Sequence, residues 1–229
     1  MKKLGIIGGM GPLATAEFYR RIVENTKAES DQDHIETIII SAPGIPGRVS
    51  YILGESREDP LPALQDVALR LKNAGAEVVV MPCVTAHYFY EGISEVLPQV
   101  SFPNLLTELA AELKKDQIRT AGILATDATL HCGLLKQHLK EVGIGIIEPD
   151  ERERKIIGEI IFNQIKAGKE PDLQSLNDVC DDMYGRGAQT VIIGCTDLSV
   201  IIRQAAPEKY IDVLDVLTRT AVRECAEIS

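Results

Sequence analysis

No block of lysine or arginine offsets the formal net charge of −10. That argues against a general nucleic-acid or anionic-membrane surface, because both need a positive field on the protein. Long apolar runs are missing as well. The opening Met1-Lys2-Lys3 leads into a short apolar stretch, but Gly8, Gly9 and Gly11 interrupt it far short of a signal-peptide core or a membrane span. A cytoplasmic protein is expected. Cysteine is sparse and odd in number: five in 229 residues make no small-domain disulfide framework and fit a reducing compartment. The four histidines have no metal-like spacing with those cysteines, so no metal site is expected. Adjacent His131 and Cys132 point in different directions if they lie on a helix.

What is present is an ordinary globular composition, 45% hydrophobic and 25% charged, in a chain long enough to bury a core without staples. The length allows one large or two small domains, and an internal repeat favours two. Val78-Val79-Val80-Met81-Pro82-Cys83 puts a cysteine just beyond an apolar strand, and Val191-Ile192-Ile193-Gly194-Cys195 does so again. Gly75-Ala76 and Gly187-Ala188 precede the two copies, and the offset, 195 − 83 = 112, is about half the chain. Ala121-Gly122-Ile123-Leu124 echoes Leu4-Gly5-Ile6-Ile7 at a similar offset, 121 − 4 = 117. The expected division is residues 1–100 with 208–229, carrying Cys83, and residues 101–207, carrying Cys195.

Strands are expected at 4–8, 35–41, before Cys83, at 121–125, 144–147, before Cys195 and at 211–212. Helices are expected at 15–27, 61–73, 91–97, 151–166, 176–184 and 214–226. In the first helix Ala16, Tyr19, Ile22 and Val23 recur at helical spacing. The last helix is placed to return to the first unit.

Several residues stand where such a chain binds ligands. Open parallel sheets gather ligands beyond the carboxyl ends of their strands, where Cys83 and Cys195 both fall. The competing reading of each is a small buried hydrophobe. Gly9-Met10-Gly11-Pro12 lacks the order of a dinucleotide or phosphate loop and reads as a turn beside a small ligand. Arg48 ends a loop rich in proline and glycine, and its planar fork suits a carboxylate. Thr126 opens a helix whose free N–H groups can bind an anion. Lys166, before the glycine stop at Gly168, is either a second cation for the ligand or a lysine at a helix C-terminus. His87, four residues after Cys83, either favours its thiolate or lies on a helix surface. Cys132, Cys180 and Cys225 fall within expected helices and read as structural.

Two thiols facing each other across a cleft suit inversion of a stereocentre. One thiolate removes the proton from Cα and the other thiol returns a proton to the opposite face. An ordinary thiol, with a pKa of about 8.5, is close enough to neutral to serve as donor or base. Thr85 and Thr196, with nearby backbone N–H groups, can stabilise a thiolate and the charge spreading onto the substrate carboxylate.

The segments Gly8-Gly9-Met10-Gly11-Pro12, Pro82-Cys83-Val84-Thr85-Ala86-His87, Leu124-Ala125-Thr126, Lys166-Ala167-Gly168 and Gly194-Cys195-Thr196 together resemble the cofactor-independent aspartate/glutamate racemase family, in order along nearly all of the chain. The resemblance implies an α/β fold of two pseudo-symmetric domains, each with a small parallel sheet flanked by helices, and an active site in the cleft between them. It implies an amino-acid racemase with no pyridoxal phosphate or other cofactor, commonly a homodimer. Cys83 and Cys195 match the acid/base pair. Arg48 and Lys166 match the cations that hold an acidic side chain. Met10, Val84, Thr85, Thr126, Thr196 and Asp197 complete the expected substrate contacts.

The departures fall where the family binds substrate. Cys-Asn-Thr is here Cys83-Val84-Thr85, and Val84 cannot make an asparagine's hydrogen bonds. Pro-Gln-Ile-Pro-Asp-Arg-Thr is Pro43-Gly44-Ile45-Pro46-Gly47-Arg48-Val49, and Cys-Thr-Glu is Cys195-Thr196-Asp197. These changes point to altered or broadened substrate choice. Other readings stay open: a maleate isomerase-like enzyme or a decarboxylase of the same superfamily, a cysteine amidase using Cys83 and His87, and a binding homologue without activity.

Overall fold

The computed structural model describes residues 1–205 and 209–226. Short runs of β-branched and small apolar residues form its strands, as such residues fit a pleated, buried surface. The first half contains β1 (Leu4–Gly8), α1 (Pro12–Asn25), β2 (Thr37–Ser41), α2 (Arg48–Ile52), α3 (Leu61–Asn73), β3 (Val78–Val80), α4 (Tyr90–Ser94) and α5 (Leu105–Lys115). The second contains β4 (Thr120–Leu124), α6 (Asp127–His131), α7 (Leu134–Glu141), β5 (Gly145–Ile147), α8 (Glu151–Gly158), α9 (Leu173–Gly185), β6 (Thr190–Ile193), α10 (Ile202–Ala205), β7 (Tyr210–Asp212) and α11 (Val213–Ala226).

The strands make two parallel sheets, ordered β2-β1-β3 and β5-β4-β6-β7. The first three strands of each half thus repeat one topology, with the first strand central. The repeat extends to the turns before β3 and β6, where Gly75 and Gly187 take φ of +92° and +97°, a conformation that favours glycine. Of the expected domain boundaries, residues 207 and 208 lie outside the described residues, as do 227–229.

One apolar core runs through both halves. Leu4, Phe18, Val80 and Leu109 from the first pack in one cluster with Ile123, Leu139, Val213 and Leu217 from the second. Separate clusters cover the remaining face of each sheet. Helix α11 lies against α1, α5 and β3 of the first half while following directly from β7 of the second.

Helix α1 differs from its expected phase. It starts at Pro12, a good first helical residue because its missing N–H would be unpaired there anyway. Its buried side chains are Ala14, Thr15, Phe18, Arg21 and Ile22, whereas Tyr19 and Val23 are exposed. The reason is Arg21, which is 0% exposed. Its Nε donates to Glu17 at 2.7 Å, Nη1 to Asp212 at 2.6 Å and Asp215 at 2.7 Å, and Nη2 to the Ser199 carbonyl at 2.6 Å. A side chain expected to face solvent therefore faces a nest of oxygens, which rotates the stripe. Removing one member of a buried ion pair strands the other charge. Arg21→Met should cost about 3–5 kcal/mol in urea unfolding, and adding Asp212→Asn should recover part of that loss.

Candidate active site

The segments at the carboxyl ends of β1, β3, β4 and β6 meet in one cavity of about 340 Å³. Met10 comes from the turn after β1, and Cys83, Val84 and Thr85 from the segment after β3. Thr126 follows β4, and Gly194, Cys195, Thr196 and Asp197 follow β6. This is where a parallel sheet of this order places its ligands. One edge strand of each sheet adds a cation from the segment after it, Arg48 beyond β2 and Lys166 beyond β5. The ten residues that match the family's acid/base pair and expected substrate contacts thus all line the same space, and His87 does not. Gly47 and Val49 of the altered loop line it too, as do Ser50, Glu55 and Phe162, which no local pattern had marked.

Both thiols are buried, Cys83 at 6% and Cys195 at 8% exposure. The Thr196 hydroxyl, next to Cys195, donates to the carbonyl of Pro82, next to Cys83, at 3.1 Å. This bond ties the two cysteine segments directly together. It also commits the Thr196 proton, leaving its oxygen to accept from a ligand. Beyond Cys195, the Ser199 hydroxyl bonds to Asp212 and the Ser199 carbonyl accepts from Arg21. The segment is therefore held at both ends.

Across the cavity Thr85 meets Thr129 at 2.8 Å, and Thr129 meets Thr126 at 3.1 Å. Three buried hydroxyls from the two halves thus form one cluster, Thr126 and Thr129 both from the hydroxyl-bearing start of α6. Helix α2, carrying Arg48, rests on α6 of the other half.

The charged groups are already partly engaged. Lys166 reaches Asp197 at 2.7 Å. Arg48 gives Nη1 to the carbonyls of Ile45 and Pro46, while its buried Nε has no partner among the described residues. An unpaired buried donor on a cavity wall is costly unless a ligand answers it. Phe162 lies in the middle of a π-helical segment, Glu159–Ile165, whose wider turn continues α8, and Lys166 caps its end. Such segments are frequent at functional sites. Burial, and next the Asp197 carboxylate, push the Cys195 thiol well above the ordinary range, with Lys166 pulling the other way. Its sulfur lies 3.8 Å from Asp197 Oδ2. Cys195 therefore holds its proton firmly.

His87 is neither a surface residue nor a partner of the Cys83 sulfur. It is buried, its Nδ1 lies 2.9 Å from the Cys83 carbonyl, and its Nε2 accepts from the Leu105 N–H at 3.2 Å. One donor and one acceptor describe a neutral imidazole protonated at Nδ1. Cys132, Cys180 and Cys225 lie outside the cavity, and burial pushes Cys180 up to about 12 and Cys225 to about 11. Among the described residues no three His, Cys, Asp or Glu side chains gather to hold a metal ion. No described helix is long and apolar enough to cross a membrane.

Comparison with known proteins agrees with this arrangement. The Asp/Glu/Hydantoin racemase family model matches residues 7–224. The chain belongs to that family. It is 26% identical to the broad specificity amino-acid racemase RacX of Bacillus subtilis over 208 residues, 87% of each chain. The aspartate racemase of Picrophilus torridus superposes with a TM-score of 0.85 at 26% identity, covering 100% of this chain and 96% of that one. Glutamate racemase from Francisella tularensis, solved with D-glutamate, shares the fold at a TM-score of 0.66 and 15% identity, covering 100% of this chain and 84% of that one. The two-sheet architecture is thus that of the family's racemases.

Burial lowers the pKa of His87 from 6.5 to about 4. Between those values the unfolded chain binds the proton and the folded chain does not, so stability falls as the pH drops through that window. Urea unfolding at pH values across it should show a loss of up to about 1 kcal/mol per unit. His87→Gln, which has no titrating ring, should flatten that dependence.

Proposed function

We propose that this protein is a cofactor-independent amino-acid racemase that inverts Cα by a two-base proton transfer between Cys83 and Cys195. The observation that carries the reading is the convergence of two buried thiols, one from each sheet, on a single cavity, with Thr196 bonded to Pro82 between them. A planar carbanion held between the sulfurs has one thiol on each face. The raised Cys195 thiol supports Cys195 as a proton donor for one enantiomer. When the substrate is the other enantiomer, the roles reverse. Proton transfer to and from carbon is general acid–base work, which a positioned side chain accelerates by roughly 10²–10⁴-fold.

Thr85 and Thr126, with the backbone N–H groups at the start of α6, suit the α-carboxylate as its charge grows. Thr196 and Asp197 offer acceptor oxygens to the ammonium group in place of the asparagine that Val84 replaces. Met10 closes the wall beside them. Arg48 and Lys166 occupy the places of the family's side-chain anchors, and the changes at Gly44, Gly47, Val84 and Asp197 support altered or broadened substrate choice. We keep the division into two α/β units, with α11 counted in the first because it packs on α1 and β3. A homodimer is supported by Tyr19 and Val23, exposed on α1. Five free cysteines support a reducing, cytoplasmic setting.

A second reading is an isomerase or decarboxylase whose substrate has no amino group. Val84 alone favours it. The paired thiols favour the racemase, since a one-thiol reaction leaves the second without a role.

The purified protein, with no cofactor added, should racemise at least one amino acid from a single-enantiomer panel read by chiral chromatography. Cys83→Ala and Cys195→Ala should each lower that rate by roughly 10²–10⁴-fold without a matching loss of stability. Full activity in either variant would contradict the two-base assignment.

A further inference from the structure

Three successive carbonyls hold the main chain at Cys83, and each is answered from a different direction. Met81 accepts from the Cys83 N–H at 2.8 Å, across a three-residue turn centred on Pro82, whose ring fixes φ there. Pro82 accepts from the Thr196 hydroxyl of the second half, and Cys83 accepts from Nδ1 of His87 at 2.9 Å. A planar peptide with an anchored carbonyl has little freedom to rotate. With the planes on both sides of Cys83 anchored, the direction of its Cα–Cβ bond is set, and the thiol with it. Two of these bonds use the turn itself and a residue of the cavity wall. The third depends on a side chain outside the lining.

His87 is itself held firmly. Its Nε2 accepts the first N–H of α5, from Leu105. Its ring stacks on Tyr90, with centroids 6.0 Å apart and 8° between the planes, and Tyr90 stacks in turn on Phe102 at 4.8 Å. Helix α5 packs on α7 of the second half and on α11, and Leu105, Leu106 and Leu109 lie in the core cluster shared by both halves. One imidazole therefore ties the Cys83 carbonyl to a helix on which the two halves meet. The second half answers the equivalent carbonyl from its main chain, with the Leu198 N–H donating to Cys195 at 3.0 Å. The repeat thus explains no need for a histidine here, whereas the geometry of Cys83 does.

We infer that His87 is a positioning residue: through the Cys83 carbonyl it holds the Cys83 thiol against the substrate α-carbon, and so governs proton transfer on that face of the carbon alone. The inference rests on the racemase reading above and adds to it a residue that does not touch the substrate.

Two substitutions separate the two bonds of His87. The amide of His87→Asn reaches about as far as Nδ1 and can donate to Cys83, whereas the longer amide of His87→Gln reaches the place of Nε2 and can accept from Leu105. Each variant is assayed from either enantiomer of an accepted amino acid, unlabelled and α-deuterated, for the isotope effect on kcat/KM. A slower transfer at Cys83 becomes more nearly rate-limiting; for one enantiomer that transfer breaks the labelled bond, and for the other it delivers solvent hydrogen. In His87→Gln, kcat should fall by as much as roughly 10²-fold, the scale of a misplaced reacting group. Relative to wild type, the isotope effect should rise from one enantiomer and fall from the other. In His87→Asn both should keep their wild-type values. A mere loss of folded protein lowers labelled and unlabelled rates alike and moves neither. Isotope effects that stay put or shift together in His87→Gln, or that separate as widely in His87→Asn, would overturn the inference while leaving racemisation standing. If His87→Gln does not fold, His87→Asn decides alone, since separated effects there would show that the bond to Cys83 is not what matters. Racemisation of no amino acid by the wild-type protein would overturn the racemase reading and this inference with it.

Discussion

The placement of Cys195 depends on one buried guanidinium. Arg21 uses three donor contacts to join α1 to Ser199, Asp212 and Asp215, with a fourth to Glu17 in α1 itself, and Ser199 lies four residues beyond Cys195. An ion pair at this depth carries a large desolvation cost, and complete hydrogen bonding is what makes it tolerable. Its consequence is positional. The Cys195 segment is fixed from behind by Arg21 and from the front by the Thr196 bond to Pro82, so the separation of the two thiols is set by the scaffold. Proton transfer at carbon tolerates little slack in that separation.

Electrostatics then distinguishes two cysteines that the repeat makes equivalent. The first half places His87 behind Cys83 as a neutral spacer, bonded to its carbonyl and to the start of α5. The second half places Asp197 beside the Cys195 sulfur, with Lys166 on the same carboxylate oxygen, Oδ2. A duplicated scaffold therefore carries an asymmetric site. An inverting enzyme needs such asymmetry, because one thiol must be protonated when the other is not.

Much of this was legible in the sequence, and for identifiable reasons. The repeat of strand, turn and cysteine is local, so the two sheets and the positions of Cys83 and Cys195 at their strand ends were readable. Helix α3 has the expected bounds because its apolar period and its glycine stop agree. Helix α1 was phased wrongly because a buried arginine looks, in one dimension, like a surface residue. The partnership of Lys166 with Asp197 was invisible for a different reason. Each had a sufficient local explanation, a helix end for one and a strand end for the other, and only the packing of α8 and its π-helical extension over β6 brings them together. Glu55 and Phe162 sit in segments whose local pattern is that of an ordinary loop or helix.

The central claim is that two thiols act on opposite faces of one carbon, and the fate of deuterium tests it most directly. A single enantiomer of an accepted amino acid is incubated in D₂O, and both enantiomers are recovered at low conversion for mass analysis. The account predicts deuterium at Cα of the product enantiomer, with the remaining substrate still carrying hydrogen, since the proton removed by one sulfur is not the one returned by the other. Equal early labelling of both enantiomers would mean that a single group serves both faces, and would contradict the account.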